Sequence, residues 1–204
     1  HRLEHLLGRL KTPIPRVALS ATLGDIEKVP LSLRPNQSLP CRIVRDTVSS
    51  ASIQVQIRGY VNPAQITEET PADAEYQICE DLYKFCRGGN HLVFANSRTR
   101  TEGIAATLSD MCEQNLVPNE FFPHHGSLSK DLRESLEKRL QQEQYPTTAV
   151  CTMTLELGID IGKVNSVVQV TAPHSVSSLR QRLGRSGRRG GPSVLRMLIA
   201  ENEL

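Results

Sequence analysis

Apolar residues recur along this chain in two rhythms, short continuous runs and stripes spaced three or four apart, and their alternation predicts parallel βαβ units. The run HLVFA at 91–95 reads as a buried strand, as do TTAVCT, VNSVVQV and SVLRMLI farther on, and NEFFPHH reads as a short strand ending in a loop. Before the first run, Ala74, Ile78, Leu82 and Phe85 form one apolar stripe. Thr70 is the expected N-cap of that helix, Pro71 its first residue, Asp73 the closing half of a capping-box-like pair, and Gly88 with Gly89 the stop. A second helix is predicted from Thr99, with Glu102 completing a capping box and Ile104, Leu108 and Met111 facing inward. A third follows the cap Ser129, with Leu132, Leu136 and Leu140 inside and Glu134 paired with Lys138 outside. The pattern is that of an α/β fold.

The first quarter of the chain has its own rhythm. HRLEHLLGRL reads as a helix, RVALSAT as a buried strand, GDIEKVPLSL as a short helix and CRIV as another strand, as if these were the closing units of a preceding α/β domain. The Ser- and Thr-rich stretch DTVSSAS is the linker candidate, which divides the chain into 1–48 and 49–204.

Composition narrows the class. With 204 residues, 38% of them hydrophobic and 23% charged, the chain is long enough to bury a core, and no apolar run approaches the roughly 20 residues of a membrane span. Its start has neither a signal-peptide core nor a Met, so the chain reads as an excised fragment. Five cysteines (Cys41, Cys79, Cys86, Cys112 and Cys151) without a CxxC pair point to a reduced, cytoplasmic compartment and to small buried hydrophobes. His124 and His125 point apart on a strand with no third ligand at helical spacing, so no metal site is expected.

Charge adds the first functional signal. The net charge is only +2, but no acidic residue stands between Asp160 and Glu201 while Lys163, Arg180, Arg182, Arg185, Arg188, Arg189 and Arg196 do. The basic segment QRLGRSGRRGG at 181–191 is rich in glycine, and arginine is seldom fully buried unless paired, so an anionic partner is expected there. In a helix reaching Arg188, Val176, Leu179 and Leu183 share one face and Gln181, Arg185 and Arg188 the opposite one. Gly184 and Gly187 between them leave room for a close approach. Two guanidinium forks so placed match phosphate oxygens bidentately. This geometry alone leaves open whether the phosphate belongs to a nucleotide or to a nucleic-acid backbone. Asp160, in a Gly-flanked loop after the strand TTAVCT, could accept ribose hydroxyls at the carboxyl ends of a parallel sheet. Aromatic residues are only 4% with no tryptophan, so backbone contacts rather than base stacking are expected for any strand.

Five segments in order, LSATLGD (19–25), LVFANSRTRTE (92–102), FPHHGSLSKDLRESLEKRL (122–140), AVCTMTLELGIDIG (149–162) and APHSVSSLRQRLGRSGRRG (172–190), resemble the later motifs of superfamily 2 helicases. The likeness is to the large helicase-related proteins, cousins of the DEAD- and DEAH-box families. It implies a second RecA-like motor domain, a three-layer fold with a mainly parallel sheet, at 49–204, and the tail of a first RecA-like domain at 1–48. By the same resemblance, Ser20, Ala21 and Thr22 match the motif coupling hydrolysis to movement between domains. Ser97, Arg98, Arg133 and Thr152 match strand-backbone contacts, with Thr154 an alternative to Thr152. Gly158, Asp160, Gln181, Arg185 and Arg188 match the ATP side, the last two as arginine fingers.

The implied partners are ATP with Mg²⁺, nucleic acid (DNA or RNA), and the first RecA-like domain of the same chain. No GxxxxGK[ST] and no DExH or DExD sequence occurs, so the phosphate cradle and the Mg²⁺ carboxylates are expected on that first domain, and this chain alone is expected not to hydrolyse ATP. The competing readings are a non-catalytic nucleic-acid clamp of the same shape, which has no need of aligned Gln181, Arg185 and Arg188, and an unrelated phosphate-binding enzyme, which would need a glycine-rich strand-to-helix turn of its own.

Overall fold

The computed structural model describes residues 15–19, 26–33, 40–44, 52–62, 73–156, 159–187 and 191–201. The chain divides into two compact units, His1–Val48 and Ser49–Leu204. In the first, a 3₁₀ turn over Ile26–Lys28 runs into the short helix α1 (Val29–Leu33), whose last carbonyl accepts a hydrogen bond from Arg16. Of the strands expected at RVALSAT and CRIV, the described residues 16–19 and 41–44 carry none, since a strand exists only with a ladder partner and none pairs with them among the described residues; positions 20–22 lie outside these. The helix expected at HRLEHLLGRL lies outside the described residues.

The second unit is a six-stranded, all-parallel sheet. Its strands are β1 (Ile53–Tyr60), β2 (Asn90–Phe94), β3 (Phe121–His124), β4 (Thr147–Cys151), β5 (Ser166–Val170) and β6 (Ser193–Ala200), in the spatial order β1-β6-β5-β2-β4-β3. The helices α2 (Ala74–Cys86), α3 (Arg98–Gln114), α4 (Lys130–Gln142) and α5 (Val176–Leu183) connect them. Every residue of β2, β4 and β5 is buried, which is why those strands read as apolar runs rather than alternations.

The two faces of the sheet build two cores. Val93, Val150 and Val168 pack with Ile78 and Leu82 of α2 and Ile104 and Leu108 of α3. Leu92, Phe94, Ala149 and Val167 pack with Leu136 and Leu140 of α4, with Leu179 and Leu183 of α5 against them. The result is a three-layer α/β sandwich, as the pattern of runs and stripes predicts.

Local details differ from expectation. α2 starts at Ala74, with Asp73 as its cap accepting the Tyr76 N–H at 2.8 Å, while Thr70 and Pro71 lie outside the described residues. α3 starts at Arg98, capped by Ser97 rather than entering at Thr99. Ser129 caps α4 as expected, but Leu132 is exposed and Glu134 pairs with Lys130, 3.5 Å away, instead of Lys138. The alternation Ile53, Val55, Ile57 against Gln54, Gln56, Arg58 is a period-2 signal for β1 that sits hidden beside the polar linker.

Candidate functional site

A parallel sheet gives the molecule two chemically distinct edges. The strands end at one, the carboxyl edge, where α3, α4 and α5 begin, and those helices end at the other, the amino edge. Five of the residues expected to hold a strand come to the carboxyl edge. Ser97 and Arg98 follow β2, Thr152 and Thr154 follow β4, and Arg133 stands in the first turn of α4. The ladders continue past the strand ends, Ala95 N–H donating to Cys151 O (2.9 Å) and Thr152 N–H to His124 O (3.2 Å), which fixes these loops to one another. Arg98 is exposed and reaches Ser127 Oγ at 3.3 Å.

Sequence reasoning missed how the paired histidines serve this edge. His124 is buried, and burial pushes its ring below the ordinary value despite Glu137 beside it, so at neutral pH it carries one proton. Its Nε2 faces Glu137 Oε1 at 3.0 Å and its Nδ1 lies 2.8 Å from Thr154 Oγ1, whose hydroxyl donates to the His124 carbonyl at 3.1 Å, which ties α4 to the loop after β4. His125 is also buried, with Nε2 3.0 Å from Glu102 Oε1 but outside hydrogen-bonding geometry. Among the described residues, the buried side-chain atoms lacking a hydrogen bond are Asn96 Oδ1, both His125 ring nitrogens and Arg133 Nε. All of them belong to segments of the carboxyl edge. Asn96 also bonds Thr171, a non-glycine held at φ +68° where β5 ends.

The arginine segment lies at the amino edge. α5 stops at Leu183 with Gly184 as its C-cap, so the expected continuation to Arg188 does not form as far as the described residues run, to Gly187, and Val176 is exposed rather than part of an apolar anchor. Gly187 has φ +75°, and a Cβ there would stand 2.9 Å from the Ser193 nitrogen, so glycine is required where the chain turns into β6.

The arginines that are described are not solvated. Arg182 is 1% exposed, donating from Nε to Glu156 Oε2 at 3.0 Å and from Nη1 to Gln169 Oε1, with Phe94 beneath its guanidinium. For Arg182 the anion expected beside the segment is internal: a buried arginine is tolerated when a buried carboxylate and amide take its N–H groups. Arg185 is buried as well, donating from Nε and Nη2 to Glu156 O (3.1 and 2.8 Å) and from Nη1 to Ile159 O (2.6 Å).

Asp160 accompanies Arg185 rather than the strand ends. Its carbonyl accepts Gln141 Nε2 at 2.5 Å from the last turn of α4, and its carboxylate accepts the Gly162 N–H at 3.3 Å. The loop after β4 therefore crosses the domain, leaving the carboxyl edge at Thr152 and meeting the arginine segment at Glu156 and Ile159. Gln181 lies on the last turns of α5, half-buried. Gly158 and Arg188, and the triplet Ser20, Ala21 and Thr22, lie outside the described residues.

Comparison with known proteins places this geometry. Residues 74–190 match the family described as the helicase conserved C-terminal domain. The ATP-dependent helicase Lhr-Core of Methanothermobacter thermautotrophicus is 32% identical over 190 residues, 91% of this chain and 21% of the relative. The Lhr helicase/uracil glycosylase of Escherichia coli is 47% identical over 228 residues, covering 93% of this chain and 15% of the relative. The structure of Mycobacterium smegmatis helicase Lhr bound to ssDNA and AMP-PNP superimposes with a TM-score of 0.75 at 32% identity, over 98% of this chain and 26% of that one. The chain thus spans about a fifth of the length of such relatives.

Proposed function

Because the chain belongs to the helicase conserved C-terminal domain family, with a RecA-like fold, we propose that it is the second motor domain of an ATP-dependent nucleic-acid helicase or translocase. The carboxyl edge is its strand side: Ser97, Arg98, Arg133 and Thr152 hold backbone phosphates. The amino edge, where Asp160 and Arg185 stand, is its nucleotide side; in role, Gly158, Asp160 and Gln181 serve ATP binding, and Arg185 and Arg188 neutralise charge developing on the transferred phosphoryl group. Residues 1–48 are the end of the first RecA-like domain, with Ser20, Ala21 and Thr22 coupling the two, and the phosphate cradle and Mg²⁺ ligands belong to that domain.

The observation that carries the strand side is that buried polar atoms without a hydrogen bond, Asn96 Oδ1, His125 Nδ1 and Arg133 Nε, belong to the segments of the edge where Ser97, Arg98 and Thr152 stand. A buried donor without a partner costs about 1–3 kcal/mol, and a bound anion or its waters can recover that cost.

The reading is tested by titrating this chain with fluorescent single strands of two unrelated sequences over a salt series. Binding that weakens steeply with salt and differs little between sequences supports it, together with no ATP turnover by the chain alone. Salt-independent binding, or ATP turnover above a blank, counts against it.

A further inference from the structure

One residue holds both described arginines of the arginine segment, Arg182 and Arg185. The Glu156 carboxylate, buried, accepts the Ser178 hydroxyl at 2.8 Å and Arg182 Nε at 3.0 Å through the same oxygen, Oε2, and both donors lie on α5. The Glu156 backbone carbonyl accepts Arg185 Nε and Nη2, beyond the end of α5. Arg182 in turn reaches Gln169 on β5 and lies over Phe94 on β2, so the helix held by Glu156 is seated on the centre of the sheet.

Upstream, a single 3₁₀ turn over Met153–Leu155 separates Glu156 from Thr152, closed by the Glu156 N–H to Met153 O at 3.0 Å. That one turn is all the chain between Thr152 at the strand-side loop and the Glu156 carbonyl that holds Arg185.

The geometry points to Glu156 as a positioning residue: it sets where the Arg185 guanidinium stands according to where the strand-side loop at Thr152 stands. The inference rests on the proposed roles of Arg185 and Thr152. Glu156 touches neither nucleotide nor strand in this role and acts through Arg185. Its carboxylate fixes its own carbonyl against α5, and the carbonyl fixes the guanidinium. Losing the charge frees the carbonyl to drift while leaving every other donor and acceptor of both edges in place.

The test is a double-mutant cycle in the full-length protein, reading strand-stimulated ATP turnover per folded molecule, with KM for ATP and strand affinity measured alongside. Glu156→Gln lowers kcat about tenfold and leaves KM and strand affinity within about threefold. In the Arg185→Ala background the same substitution adds less than about twofold, because two residues acting through one step are not additive. Additive losses, or an unchanged kcat in Glu156→Gln when Arg185→Ala is impaired, overturn the positioning role while leaving the proposed function intact. An unchanged kcat in Arg185→Ala itself overturns the reading on which the inference rests. Should Glu156→Gln not fold, Ser178→Ala removes one of the same two bonds, and the expected signature is the same at about two- to threefold.

Discussion

Arg182 lies with its guanidinium carbon 4.7 Å from the centre of the Phe94 ring, inside the layer between α5 and the sheet. Its charge is met by Glu156, and both side chains are almost wholly withdrawn from solvent. Arg182→Ala therefore leaves an unpaired buried carboxylate and costs about 3–5 kcal/mol, whereas a double replacement by apolar residues of similar volume costs far less. Urea unfolding of the single and double variants checks this, the expected order being wild type or double variant well above the single one.

At the strand side, Arg98 is exposed, and its 3.9 Å ion pair with Glu102 and 3.3 Å hydrogen bond to Ser127 Oγ lie at the surface, so its removal leaves the fold unchanged. Arg98→Ala weakens strand binding alike for all sequences and reduces the slope of log affinity against log salt by about one. Fluorescence anisotropy across a salt series measures both.

His91 makes stability depend on pH in a set direction. It is buried against Ser166, and burial first, with Arg196 nearby, pushes its ring down to about 4 from the ordinary 6.5. The unfolded ring takes up a proton that the folded ring refuses, so this contribution is complete above about pH 6.5 and is lost as the pH falls toward 4. Denaturant midpoints between pH 7 and 4 fall more steeply for the wild type than for His91→Asn.

The thiols divide by exposure. Burial pushes Cys79 and Cys86 up to about 12 and raises Cys151 as well, and Cys112 is buried, whereas Cys41 is exposed. An aromatic disulfide reagent is expected to label one thiol rapidly in the native protein and the other four only after unfolding, since reactivity needs an accessible thiolate. The expectation that all five are buried hydrophobes is thus corrected at Cys41.

The central elements could be read from sequence because their pattern has one cause. Strands β2, β4 and β5 are buried on both faces, so they must be apolar throughout, and caps such as Ser129 stand where a helix needs a side-chain acceptor. β1 was hidden because an edge strand keeps polar residues on one face, and it adjoins a polar linker.

The arginine segment was misjudged for a different reason. Spacing tells which residues share a helix face only while the helix lasts, and Gly184 ends it. What buries Arg182 and Arg185 is Glu156, a carboxylate 26 and 29 positions earlier in sequence, brought near only by the sheet. A lone acidic residue in the apolar run TLELG was the available signal. Asp160 was displaced in the same way, its loop crossing to the last turn of α4.

The division of labour between the two edges is tested most directly by steady-state ATP hydrolysis in the full-length protein at saturating and limiting strand. Arg185→Ala and Arg188→Ala are expected to lower kcat about 10³-fold at saturating strand, with KM for ATP and strand affinity changed only a few-fold. Arg98→Ala is expected to do the reverse, raising the strand concentration needed while kcat at saturation stays at the wild-type value. If the Arg185 and Arg188 variants instead lose strand binding as Arg98→Ala does and keep kcat, the domain is a nucleic-acid clamp and the arginine segment does not serve ATP.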